Sequence, residues 1–256
     1  EAARQGLLRM AAAGAKVVPL AVVNPDTASE LGASAAELFS LPVARAHVTC
    51  NLRTVWDDAA LRGLREGLRA AAEIWARAFR AGRSIWFEPF TTKILSHLHA
   101  AMPCASRCQF GARELVVAPS GRFYPCGELV GDDSDARHVI GNLDDGVWSD
   151  QLQAMRADKE RIELTCQDCG IRERCSSSCG CKHVALTGQF GVITDTLCEL
   201  ESAFIEAADT IAAELYAEGC AAFIDYFYRQ PWRANSVAKL VQLCRAASGT
   251  DRAGSD

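Results

Sequence analysis

Eight cysteines between Cys104 and Cys198 have the residue type and spacing most able to do chemistry. They are Cys104 and Cys108, then Cys126, then Cys166, Cys169, Cys175 and Cys179, and finally Cys198. A four-iron cube takes one thiolate per iron, so eight cysteines can hold two [4Fe–4S] clusters. Short spacings such as Cys166 to Cys169 let two thiolates of one turn face the same site, while a distant ligand such as Cys198 ties separate segments together. Zinc accepts the same donors across the same two-residue gaps, so two structural zincs satisfy the spacing equally well. Disulfides fit less well, because the first hundred residues hold only Cys50 and read as ordinary cytosolic α/β structure rather than a small stapled domain.

The chain has twelve cysteines in all. Cys50, Cys220 and Cys244 lie in strand or helix patterns without partners at ligand spacing and are expected in the core. Cys181, one residue beyond Gly180, reads as a structural thiol rather than a spare ligand, since a buried free cysteine behaves as a small hydrophobe. His97 and His99 are two apart on a helical pattern, point to different faces and make a poor metal pair. The acidic group Asp132, Asp133 and Asp135 reads as a solvated loop, with reception of a basic leader peptide as its functional alternative.

The elements that must position these thiols divide at about Ala101. Glu1 to Ala13 is Ala- and Leu-rich and stops at Gly14; Ala15 to Val23 is a β-branched run ending in the turn signal Asn24-Pro25. A helix from Ala33 to Ser40, a strand from Val43 to Cys50 and a long helix from Asp57 to Ala81 follow, with Asp57 as N-cap. Ser84 to Glu88 gives a third strand and Thr91 to Ala100 a further helix. Strands alternating with helices imply an α/β fold with a parallel sheet, either doubly wound or part of a barrel. From about residue 102 the texture turns to cysteines, glycines and short polar runs. Glu114 to Ala118 and Arg122 to Tyr124, around Pro119-Ser120-Gly121, read as a hairpin. Around and after Cys198 the pattern is helical again, with Leu197, Leu200, Phe204, Ala208, Ile211 and Leu215 forming one apolar stripe. Short helices at Phe223 to Tyr228 and Ala234 to Cys244 follow, and Ser248 to Asp256 reads as a frayed tail.

With 256 residues, 49% of them hydrophobic, the chain can bury one large core or two modest ones and reads as soluble. The formal net charge is -5, with Lys and Arg scattered among acidic residues, which argues against a nucleic-acid partner. The best apolar run, Val17 to Val23, is interrupted by Pro19 and falls far short of the roughly 18 residues of a membrane span. Cytoplasmic localisation is expected. The opening Glu1-Ala2-Ala3-Arg4, with no initiating Met or leader, reads as a piece cut from a longer protein.

Cys108, then Gly121, Cys126, the run Cys166-x-x-Cys169 to Cys175 and Cys179, and finally Cys198 together resemble the seven-cysteine signature of the SPASM domain, the C-terminal extension of many radical S-adenosylmethionine enzymes. Cys104 resembles the additional upstream ligand of members with two full auxiliary clusters. The resemblance implies that Cys104, Cys108, Cys126 and Cys179 ligate one auxiliary [4Fe–4S] cluster and Cys166, Cys169, Cys175 and Cys198 the other. It also implies that residues 1–101 are the C-terminal half of a partial (β/α)6 barrel, 102–200 the SPASM domain and 201–256 a helical extension. Asn24 and Leu52 follow strand ends where similar enzymes hold S-adenosylmethionine; a turn Asn and a packing Leu are the plainer reading.

The family's CxxxCxxC triplet for a third, catalytic cluster does not occur: Cys104 and Cys108 have its first interval, but residue 111 is Gly. The chain alone is therefore expected to be inactive. In the intact enzyme the resemblance implies radical chemistry on a peptide or protein substrate, with electrons from a ferredoxin or flavodoxin. Sulfatase maturases carry an Asp directly after the cysteine matching Cys126; here Gly127 and Glu128 follow, which favours a ribosomal peptide maturase over a formylglycine-generating enzyme. A non-enzymatic zinc-binding interaction module is the alternative of another class.

Overall fold

Gly14, at φ 80°, ends helix α1 (Ala2–Ala12) and turns the chain toward strand β1 (Leu20–Val23). The computed structural model describes residues 2–99, 108, 110–111 and 114–229. Cys104, Cys244, the expected helix from Ala234 and the expected tail lie outside them. The expected strand from Ala15 shortens to four residues because pairing begins late: His47 N donates to the Pro19 carbonyl, and the ladder with the next strand starts at Leu20. A 3-10 helix (Pro25–Glu30) leads into α2 (Leu31–Ser40), then β2 (Arg45–Cys50), α3 (Asp58–Arg80), β3 (Trp86–Glu88) and α4 (Phe90–Leu98). The strands pair in parallel in the order β1-β2-β3. The fold is therefore mixed α/β, with helices connecting three parallel strands.

Helix α3 starts where Asp57 Oδ1 accepts the Ala60 N–H at 2.8 Å. Its buried face, Leu64, Leu68, Ala71, Trp75 and Phe79, repeats at helical spacing. A Cβ on Gly67 would run into the Ala28 carbonyl oxygen, so only glycine lets α3 lie this close to the 3-10 helix. Trp75 is fully buried; its Nε1 donates to the Ile85 carbonyl at 2.9 Å, and its ring meets Phe79 edge-on at 4.9 Å. One sheet face, carrying Val23, Ala46, Val48 and Phe87, enters this core, while Leu20 and Val22 on the other face are about half exposed, at 56% and 53%.

The chain divides into two compact units, the described residues of Glu1–Ser106 with Glu199–Asp256 in one and those of Arg107–Cys198 in the other. The segment after Cys198 thus folds with the α/β unit. There the apolar stripe Leu200, Phe204, Ala208, Ile211 and Leu215 joins the same core. Lys93 of α4 donates to Glu201 Oε2 at 2.7 Å, both side chains nearly fully buried.

Glu88 ends β3, accepting from Trp86 Nε1 and Thr92 Oγ1. Burial pushes its carboxyl above the ordinary range, against the downward pull of those hydrogen bonds and of Lys93. A raised folded-state pKa means that the native state holds this proton more firmly than the unfolded chain does. Its contribution to stability is complete below the ordinary carboxylate pKa and is lost as pH rises through the folded value. Glu88→Gln, which keeps an acceptor oxygen, should flatten the decline in urea-unfolding free energy above the carboxylate range; an unchanged pH profile would refute this.

The second unit contains the expected hairpin as β4 (Val116–Val117) and β5 (Arg122–Tyr124), extended antiparallel by β6 (Gly141–Asn142) and β7 (Gly146–Val147). Helices α5 (Ser149–Glu160), α6 (Glu163–Cys166) and α7 (Gly180–Thr187) follow, and α8 (Asp195–Ala217) begins here; α9 (Ala221–Phe227) belongs to the first unit. Phe110, Tyr124, Ile140, Leu152, Met155 and Cys181 are central to its core. Tyr124 OH donates to Asp133 Oδ1 at 2.8 Å, and Asp133 also accepts from Ser120 N. Asp132 and Asp135 accept from Ser134 and Arg137, so the three carboxylates of this acidic loop are engaged by the unit's own groups. Among the described residues no helix is long and apolar enough to cross a membrane.

Candidate metal centre

Cys126, Cys166, Cys169, Cys175 and Cys179 sit at turns or element ends. Cys126 follows β5 in extended conformation and caps a 3-10 turn, Gly127–Leu129. Cys166 closes α6, and three-residue turns then step through the loop: Cys169 N donates to the Cys166 carbonyl, Arg172 N to Cys169, Cys175 N to Arg172, and Cys179 N to Ser176. Such turns suit short cysteine spacings because each reverses the chain within one thiol's reach of the last. Cys179 caps α7, Cys181 lies in its first turn, and Cys198 lies in the first turn of α8.

Gly180 separates Cys179 from Cys181. A Cβ there would press on the Lys159 side chain and Phe190, so a larger residue would make these side chains shift. Lys159 Nζ donates to the Ser178 carbonyl at 3.3 Å. His183, fully buried, accepts the Gly191 N–H at Nδ1, which leaves Nε2 to donate to the Ser177 carbonyl. Both contacts hold the Ser176 to Cys179 loop without using a thiol.

The described sulfurs fall into two groups. In one, Cys108, Cys126 and Cys179 pack around the core that contains Cys181, near enough for these thiols to shift one another's ionisation. Hydrogen bonds from Cys108 and Cys181, with the Lys182 charge, draw Cys179 far below the thiol range. Donation to Cys179 pushes Cys108 up, and donation to Cys126 and Cys179 pushes Cys181 up. Backbone N–H groups converge as well: Phe110 and Gly180 on Cys108, Glu128 on Cys126, and Lys182 on Cys179. In the other group, burial raises the Cys198 thiol, and the adjacent Cys175, Cys166 and Cys169 add to the rise. Cys169 and Cys198 are exposed, the remaining two half-buried.

No disulfide joins any of the ten described cysteines. Among the described residues, no three His, Cys, Asp or Glu side chains form a group that could hold a metal ion as they stand. A single zinc requires its sulfurs about 2.3 Å from one point, whereas a cube distributes them one to each iron. A donor set of thiols with backbone N–H groups aimed at the sulfurs fits an iron–sulfur cluster in its chemistry, since such hydrogen bonds offset thiolate charge and tune potential.

No protein-family model and no curated protein matches the chain.

Away from the thiols, Asn24 and Leu52 occupy the strand ends of the first unit. The Asn24 Oδ1 accepts from Asn51 Nδ2 at 2.9 Å, and Leu52 packs against the core. Asn51, overlooked in the sequence, also accepts Trp56 Nε1 on its carbonyl at 2.8 Å. Cys181, expected as a structural thiol, is buried in the core of the second unit.

Proposed function

We propose that this chain is the auxiliary-cluster part of a radical S-adenosylmethionine enzyme with a SPASM domain, acting on a peptide or protein in the cytoplasm. The observation that supports it is the segregation of the described thiols. Cys108, Cys126 and Cys179 gather in one place and Cys166, Cys169, Cys175 and Cys198 in another, which is the partition that the cysteine signature implies. Cys104, the implied fourth ligand of the first set, lies outside the described residues. The parallel strands β1 to β3 with their crossover helices are compatible with half of a partial barrel.

Bound clusters would supply one-electron transfer or substrate support. The residues of this chain have their own tasks. Phe110, Gly180, Glu128 and Lys182 turn backbone N–H groups onto the sulfurs. His183 and Lys159 hold the Ser176 to Cys179 loop. Cys198 anchors the second set to the first turn of α8. Substrate and an electron donor such as ferredoxin or flavodoxin are the partners of this role; S-adenosylmethionine and the third cluster belong to the intact enzyme.

Anaerobic reconstitution should yield a brown protein with a broad absorbance near ~400 nm and about eight irons per chain. A colourless protein carrying about two zincs would overturn the proposal in favour of a structural zinc module.

A further inference from the structure

We propose that the outer face of the four-stranded sheet in the second unit is a docking surface for a peptide segment in which apolar side chains alternate with Lys or Arg. The register defines the face. Val117 stands opposite Phe123, Phe123 opposite Gly141, and Gly141 opposite Val147, and residues directly opposite in antiparallel strands project to one side. Tyr124, the next residue of β5, points the other way and is fully buried in the core of the unit. An antiparallel sheet with one face in water ordinarily carries polar residues there. This face instead carries Val117 and Val147, 52% and 42% exposed, with Phe123 half-buried between them. Leu115, two residues before Val117, and Leu143, which lies over Gly121 in the turn between β4 and β5, are exposed as well, at 49% and 71%. Apolar side chains gathered on one solvated face, rather than scattered singly, mark a surface that binds something.

Charge identifies the occupant. Between Glu114 and Asp150 the chain has eight acidic residues and two arginines. Both arginines are engaged within the unit, Arg122 with the Asp133 carbonyl and Arg137 with the Asp135 carboxylate. Asp144 and Asp145 directly follow Leu143 in the turn joining β6 to β7, and Asp150 lies in the first turn of α5, just after β7; all three are exposed. A second copy of the chain would bring two such acidic rims together, and the phosphates of a nucleic acid or an anionic lipid surface would meet the same repulsion. A peptide bearing Lys or Arg is attracted to the rim while its apolar side chains cover the valines. Binding of this kind uses no thiol, so the inference stands apart from the cluster reading.

The test measures fluorescence anisotropy of short fluorescein-labelled peptides with the whole chain after anaerobic reconstitution. A peptide of alternating Lys and Val should bind, more weakly as salt is raised, whereas peptides of alternating Glu and Val or of alternating Lys and Ser should not. Val117→Ser with Val147→Ser should weaken the Lys and Val peptide about tenfold or more. Asp144→Asn with Asp145→Asn should weaken it a few-fold and flatten its salt dependence. Circular dichroism shows whether the valine variant folds; if it does not, Leu143→Ser, at the most exposed of these positions, takes its place with the same direction expected. No binding of the Lys and Val peptide, equal binding of either control peptide, or full affinity in either variant overturns the proposal. Self-association of the unaltered chain in sedimentation, abolished in the valine variant, overturns it in favour of a second copy. Iron content bears only on the cluster reading: a colourless chain that binds the peptide leaves this inference standing, and a brown one that does not bind overturns this inference alone.

Discussion

After anaerobic reconstitution, Cys198→Ala should hold about four irons per chain where the unaltered protein holds about eight, and Cys179→Ala should lose the other cluster instead. The two variants remove sulfurs from different groups. Cys198 stands beside Cys175, Cys166 and Cys169, whereas Cys179 joins Cys108 and Cys181. On the proposed two-cluster reading each cube needs a protein thiolate on every iron, so loss of one sulfur should strip or degrade its own cluster and leave the other group complete. Electron paramagnetic resonance of the reduced proteins should therefore show two different residual signals, and together they should account for the spectrum of the unaltered chain. Identical residual spectra, or full iron content in either variant, would refute the two-group arrangement. The Cys198 position is the more informative because that thiol is exposed and contributes little packing, so its loss is read through the metal rather than through folding.

The largest effect on folding is expected at the buried pair of Lys93 and Glu201. Their charged atoms lie 2.7 Å apart, with side chains 4% and 6% exposed. Removing one partner leaves the other charge in a low-dielectric interior, at a cost of about 3–5 kcal/mol. Glu201→Leu should accordingly lower the unfolding midpoint by roughly 10 °C, taking about 2–4 °C per kcal/mol for a chain of this size. The double variant Lys93→Met with Glu201→Leu removes both desolvated charges and should recover most of the loss, because apolar replacement of a buried ion pair is often neutral or stabilising. Lys93 also draws down the Glu88 carboxyl. A double variant no more stable than Glu201→Leu would show that packing, not charge, sets the cost. Exposed pairs such as Arg80 with Glu218 should matter far less, since solvent screens them.

Much of the first unit is legible residue by residue. Asp57 announces the start of α3 because a carboxylate before an amphipathic run satisfies a free N–H, and the structure has that bond. The stripe from Leu200 to Leu215 is legible because its period matches a helix, and those residues are buried. Strand lengths are less legible. The β-branched run before Val23 looks long, but a strand extends only as far as a neighbour pairs with it, and the ladder opens at Leu20. The two-residue strands β6 and β7 have no alternation to detect; they exist because Ile140 N donates to the Phe123 carbonyl and the turn at Asn142 closes on itself.

Cysteine spacing and helical period are properties of neighbouring residues, so the sequence by itself determined the candidate ligands, the parallel alternation and the amphipathic helices. Which sulfurs meet is another matter. Cys108 comes near Cys179, and Cys181 near Cys126, because β5, α5 and α7 pack around one apolar core. The buried union of Lys93 with Glu201 likewise depends on α8 lying against α4. Only the tertiary structure decided these pairings, because contacts between segments distant in sequence are set by the packing of whole elements rather than by any local pattern.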